Sequence, residues 1–134
     1  MAVFLSHFVV SFYENPVFLF EFHIASLLFL FLAVKWLINN LNKNFAFPFI
    51  AGKDHTALFL ISAFFYSTIS IGETWFWISS ACTYLINSIA VIAAAAWIID
   101  KSDSVLKYFF GLISFIIIGG TLESSVLFLV FIFI

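Results

Sequence analysis

From Val17 to Ile38 the chain runs 22 residues with only Glu21, His23 and Lys35 ionisable. At 1.5 Å per residue a helix of that length reaches about 33 Å, enough to cross a hydrocarbon core roughly 30 Å thick. No other feature constrains the fold as strongly, because a run this long and this apolar has few homes in water. Further apolar runs follow in series, over about 57–72, 80–99, 105–118 and 124–134. The pattern predicts an all-α polytopic transmembrane bundle, with four spanning helices plus a short or truncated fifth, in a single membrane domain over 1–134.

Composition agrees. The chain is 65% hydrophobic and only 9% charged, with a mean hydropathy of +1.22, whereas a soluble domain of this size needs a polar surface. All five basic residues are lysines, so no arginine-rich surface exists and nucleic acid is not an expected partner. Cys82 is the only cysteine, which excludes a disulfide framework or a cysteine-rich metal site within one chain. The segment from Met1 to Tyr13 is apolar but lacks the basic start and small-residue cleavage site of a signal peptide. It reads as a retained, interfacial segment.

Punctuation along the chain sets the expected boundaries. Asn15-Pro16 opens the first helix, Lys35 can snorkel to headgroups and Trp36 fits an aromatic belt. Asn39 to Asn44 reads as a polar loop, continued by Pro48, Gly52, Lys53 and Asp54, with Phe45 to Ile50 interfacial. Asp54 or Thr56 caps the second helix, which ends at Gly72 or continues through Trp77. The third helix carries Ala90 and Ala94 at the small-xxx-small spacing that lets helices approach closely in a bilayer. Asp100 to Ser104 is a tight polar loop, and Gly119-Gly120 closes the fourth helix. The last run covers only about 16 Å as helix, roughly half the hydrocarbon core. The expectation is a fragment of a longer protein.

Alternating the helices puts Lys35, Lys43, Lys53, Lys101 and Lys107 on one side. Glu14, Glu21, His23, Glu73 and Glu123 fall on the other. Positive charge is retained in the cytoplasm. The chain is thus expected in a membrane, the bacterial inner membrane, with lysine-bearing loops cytoplasmic and the N-terminus and Glu73 loop outside.

The same partition gathers Glu21, His23, Glu73 and Glu123 near the outer surface. Ionisable groups at membrane depth are costly and usually face a bundle interior or a wet cavity. One reading is an outward polar pocket with a carboxylate as general base or cation ligand. The other leaves each acid in the interfacial zone, Glu123 in the first turn of a helix capped by Thr121 and favoured by its dipole. Glu21 and His23 are two residues apart and do not share a helix face. His7 and His55 are isolated, so no metal-ligand spacing appears. No cofactor is evident, and a divalent cation at the acids stays open. Cys82 reads as a small buried residue rather than a nucleophile. Trp75 and Trp77 form an aromatic belt or stack on a sugar or lipid headgroup, and Tyr84 hydrogen-bonds across helices or towards the pocket.

Glu73-Thr-Trp-Phe-Trp-Ile-Ser-Ser-Ala-Cys-Thr-Tyr84, then an Ala/Ile-rich helix, then Gly119-Gly-Thr-Leu-Glu123, form the most distinctive pattern. It resembles an uncharacterised family of large bacterial multi-pass proteins related to the C-type membrane glycosyltransferases. In that family an acid precedes a Phe-Trp pair, a Ser-Gly-like step and a Tyr, and a later Gly-x-x-x-Glu-like step opens a helix. Glu73, Phe76, Trp77, Ser79, Tyr84 and Glu123 match, while Ser80 stands where glycine is more usual. The match covers about a third of the chain. The resemblance implies sugar transfer from a polyprenyl-phosphate donor at an extracytoplasmic site. Glu73 and Glu123 then stand as the catalytic candidates, with Trp75, Trp77, Tyr84, Glu21 and His23 on the substrate side. The family's acidic residues in the first outer loop have no counterpart here, and its complete enzymes are several times longer. Expected partners are the bilayer, a polyprenyl-phosphate sugar, and further helices of the same or another chain. The rival expectations are a non-enzymatic small membrane subunit or scaffold, and a small transporter using Glu73 or Glu21 as a proton or cation site.

Overall fold

The computed structural model describes residues 16–45, 52–67 and 84–120. They hold four helices: α1 (Pro16–Phe45), α2 (Lys53–Ser67), α3 (Ile86–Ile99) and α4 (Val105–Gly119). No strand occurs among the described residues, so the all-helical expectation holds. The expectation of four spanning helices is met only in part. Among the described residues α1 is the one helix long and apolar enough to cross a membrane, while α3 and α4 are shorter apolar helices. The fifth apolar run, the end of the second and the start of the third lie outside the described residues.

The first helix departs from the sequence expectation at its end. Asn39 to Asn44 is helical rather than a loop, which extends α1 to 30 residues, or about 45 Å. Asparagine disfavours helix interiors because its side chain competes for backbone groups. Here two of those side chains are employed elsewhere. Asn40 Nδ2 donates to the Ala96 carbonyl at 3.0 Å, and Asn44 Nδ2 donates to the Ile99 carbonyl at 2.7 Å. Tertiary bonds outweigh weak local propensity.

The second helix also starts earlier than expected, at Lys53. The Gly52 carbonyl accepts from the Thr56 amide at 2.8 Å and from its hydroxyl at 3.0 Å. Thr56 therefore lies inside the first turn and does not cap from outside. Asp54 is in that turn too, where a carboxylate is favoured by the helix dipole.

Packing pairs fix the topology. Ile86 packs with Phe18 and Phe22 at one end of α1, and Ile99 meets Asn44 at the other, so α1 and α3 run parallel. Asp54 at the start of α2 meets Lys35, and Ile61 and Phe65 pack back along α1 against the cluster that contains Leu30 and Val34. Thus α2 is antiparallel to α1. Ile118 at the end of α4 joins Ala90 and Ala94 of α3, while Trp97 stacks edge-on against Tyr108 near the start of α4, so α4 is antiparallel to α3. The bundle alternates.

The core is thin. Leu30, Val34, Ile38, Ala57 and Leu85 form its main cluster, and Ala90, Ala94 and Ile118 a second. Gly111 gives the closest approach. A Cβ built there would meet the Trp97 indole at 2.5 Å, so only glycine lets that ring lie across α4. The indole is also held edge-on by Phe115 at 5.3 Å. Outside this seam large apolar side chains face outward, including Phe20, Phe29, Phe59, Phe109 and Leu112.

Candidate functional site

The alternating topology sorts the polar residues to two ends. Lys35 and Lys43 lie on the last turns of α1, Lys53 opens α2, Lys101 follows α3 and Lys107 is in the first turn of α4. All five lysines therefore share one end. Glu21 and His23 on the early turns of α1, and Tyr84 just before α3, share the other.

At that second end the structure separates two of the expected site residues. Glu21 is exposed, whereas His23 is half-buried. The His23 Nδ1–H donates to the Leu19 carbonyl at 2.7 Å, and the ring meets Phe22 edge-on at 5.6 Å. The two-residue spacing puts them on different faces, as the helical period requires. Tyr84 is about half exposed, and its carbonyl accepts from the Ser88 hydroxyl at 2.7 Å. Glu73, Trp75, Trp77 and Glu123 lie outside the described residues, as do His7 and Cys82. Among the described residues no group of three or more His, Cys, Asp or Glu side chains is placed to hold a metal ion.

The most connected polar site is at the lysine end, and sequence reasoning did not single it out. Asp100 follows the last turn of α3, and three segments converge on it. Its Oδ2 accepts from the Trp36 indole N–H of α1 at 3.0 Å. Its Oδ1 accepts from the Ser102 amide at 2.9 Å. Its carbonyl accepts from Lys107 Nζ of α4, which also donates to the Ser102 carbonyl at 3.1 Å. Burial works to raise the Asp100 carboxyl, but the hydrogen bonds from Ser102 and Trp36 and the Lys107 charge outweigh it and hold it below the ordinary value. Lys107 in turn lies over the rings of Trp97 and Tyr108, at 5.9 and 5.5 Å.

The physical logic is that of a helix end. The last four carbonyls of a helix lack intrahelical partners. At the end of α3 the Ile99 carbonyl is satisfied by Asn44 and the Asp100 carbonyl by Lys107, while Asn40 adds a second bond to Ala96. Trp36, Asn40 and Asn44 recur every four residues, which puts them on one face of α1. That spacing was the signal available in the sequence. Chemically the arrangement is a clamp. The Asp100 oxygens are occupied by donors and its charge is met by Lys107, which leaves little for proton transfer.

Beside the clamp, Lys35 Nζ pairs with Asp54 Oδ1 at 2.7 Å and lies 5.8 Å from the Phe31 ring centroid. This pair ties α2 to α1. Both side chains are more than a third exposed, so it contributes at most about 1 kcal/mol. No known protein family, characterised protein or solved structure matches the chain.

Proposed function

We propose that the chain is a multi-pass membrane module whose lysine end faces the cytoplasm. Its opposite end contributes an extracytoplasmic polar pocket to a glycosyltransferase-like enzyme that uses a polyprenyl-phosphate sugar. The observation that carries this reading is the sorting of charge along the bundle. The lysines collect at one end, while α2 and α4 both finish at the other. Glu73 follows Ser67 by six residues and Glu123 follows Gly119 by four. An extended residue covers at most about 3.6 Å, so both acids are tethered within about 22 Å of that end. Glu21, His23 and Tyr84 are already there.

The membrane setting rests on what faces outward. Phe59 is 71% exposed and Phe20 66%, and similar side chains cover α4. Such a continuous apolar surface is a liability in water and the natural exterior in lipid. In this reading α2, α3 and α4 cross a locally thinned bilayer or are lengthened by adjoining residues. Positive charge at one end only then sets the orientation. Glu73 and Glu123 serve as the carboxylates of the pocket, and Trp75, Trp77 and Tyr84 stack against the sugar or its lipid carrier.

A second reading, a non-enzymatic membrane subunit, is favoured by the Trp36–Asp100–Lys107 clamp, whose polar groups are spent on holding helices together. Two experiments separate the readings. Lys43→Cys and Thr74→Cys, each in a Cys82→Ala background, are exposed to a membrane-impermeant maleimide on intact cells. Only the position-74 variant should label, and the reverse pattern sinks both the orientation and the pocket. Membranes carrying the chain are then assayed for sugar transfer from a labelled polyprenyl-phosphate donor. Glu73→Gln should lower transfer by roughly 100-fold or more, the scale of a lost acid–base group. Unchanged transfer leaves the subunit reading.

A further inference from the structure

An apolar groove of about 220 Å³ runs between α1 and α2. Leu30, Val34 and Leu37 form one wall, Leu60, Ile61 and Phe64 the other, and Ile92 of α3 lines it as well. The charged surroundings of this groove indicate what kind of molecule it would suit.

Lys53 precedes Leu60 by seven residues, so the two share a face of α2 and stand about 10 Å apart along its axis. Lys53 is exposed, and among the described residues no carboxylate lies within ion-pair distance of it. Its neighbour Asp54 is neutralised by Lys35. The unbonded amides in the first turn of α2 add partial positive charge at the same level. The groove thus passes from a purely hydrocarbon lining to a cationic rim within the depth that separates an acyl chain from its phosphate.

We infer that this groove holds one acyl chain of an anionic bilayer phospholipid, with the headgroup phosphate on Lys53. The inference rests on the membrane reading above and adds a ligand to it. Charge complementarity selects the headgroup, because a zwitterionic lipid gains little from the rim. Chain packing against Leu60 and Phe64 selects the groove.

The test uses the full chain purified in detergent and titrated with dioleoylphosphatidylglycerol or dioleoylphosphatidylcholine, with adducts counted by native mass spectrometry. One phosphatidylglycerol should bind about fivefold more tightly than phosphatidylcholine, the discrimination expected of one lysine beside an anionic headgroup. Lys53→Gln should abolish that preference and leave residual binding of both lipids. Leu60→Trp, at a site 46% exposed and tolerant of bulk, should fill the groove and reduce binding of both. Equal binding of the two lipids by the unaltered chain, or undiminished binding by Leu60→Trp, overturns the inference. Carbonate extraction of the membranes separates the two levels of failure. A chain released by carbonate defeats the membrane reading together with the lipid site, whereas a retained chain without lipid preference defeats the lipid site alone.

Discussion

Helices α2 and α3 are nearly equal in length, 15 and 14 residues, and both are mainly apolar, yet they are used differently. In α3 Asn87, Ala90, Ala94 and Ala96 are buried, and the helix packs on both α1 and α4. In α2 Ala57 alone is buried, while Leu58, Phe59 and Leu60 point outward. In α2 the larger side chains are on the outside and the small Ala57 is inside, whereas none of the large apolar side chains of α3 is exposed. In water the hydrophobic effect would reverse that choice. Where the surroundings are as apolar as leucine, close approach of backbones decides what is buried. The contrast is the one expected of the proposed membrane setting, with α2 facing lipid and α3 facing other helices.

The strongest way to break the comparison is to put bulk where α3 meets α4. Gly111→Val places a side chain on the Trp97 indole, which is already wedged between Tyr108 and Phe115. Loss of about 1–3 kcal/mol is expected, read as a lower unfolding midpoint in detergent. This holds although glycine costs helix stability of about 1 kcal/mol relative to alanine. Next, Asn40→Ala removes the buried bond to the Ala96 carbonyl and should cost about 1 kcal/mol, with no matching loss at the half-buried Asn42 on the same helix. Smallest is Phe59→Ala, at a position 71% exposed. It should change the midpoint by no more than about 0.5 kcal/mol. A large loss there would mean that α2 is covered by something that Ala57 and its neighbours do not reveal.

The clamp adds a test in pH. The folded-state pKa of Asp100 is depressed, so its contribution is present above the ordinary carboxyl value of 3.8 and is lost as pH falls through and below it. The unfolding midpoint measured from pH 7 to pH 3 should fall on the acid side for the unaltered chain. Asp100→Asn should flatten that fall and lower the midpoint at neutral pH. An unchanged acid slope would remove Asp100 from the clamp.

How legible this was in the sequence varies by residue. Apolar runs announced the helices, and the spacing of Ala90 and Ala94 announced the α3 seam, because both signals are local. The Asp100 to Ser104 loop was equally plain. The continuation of α1 through Asn39 to Asn44 was not, since asparagine-rich composition predicts a loop and only the distant carbonyls of α3 explain the helix. Trp36 suggested an aromatic belt, whereas its indole N–H goes to Asp100. Of the expected site residues, Glu21, His23 and Tyr84 share an end as alternation requires. Glu73, Trp75, Trp77 and Glu123 lie outside the described residues, so the acid pocket remains a proposal from connectivity.

The asparagine bonds also bear on the order of assembly. The groups that close the end of α3 belong to a helix made 56 and 55 residues earlier. Until α1 is in place, the Ile99 carbonyl has no side-chain partner from within its own helix. A ribosome delivering this chain therefore presents α3 to a template already waiting, and the cost of exposing that helix end is deferred to a moment when it can be met. An α1 truncated at Ile38 would keep the Trp36 bond to Asp100 but lose the Asn40 and Asn44 bonds to the Ala96 and Ile99 carbonyls, so α3 would arrive with its last turn only half held.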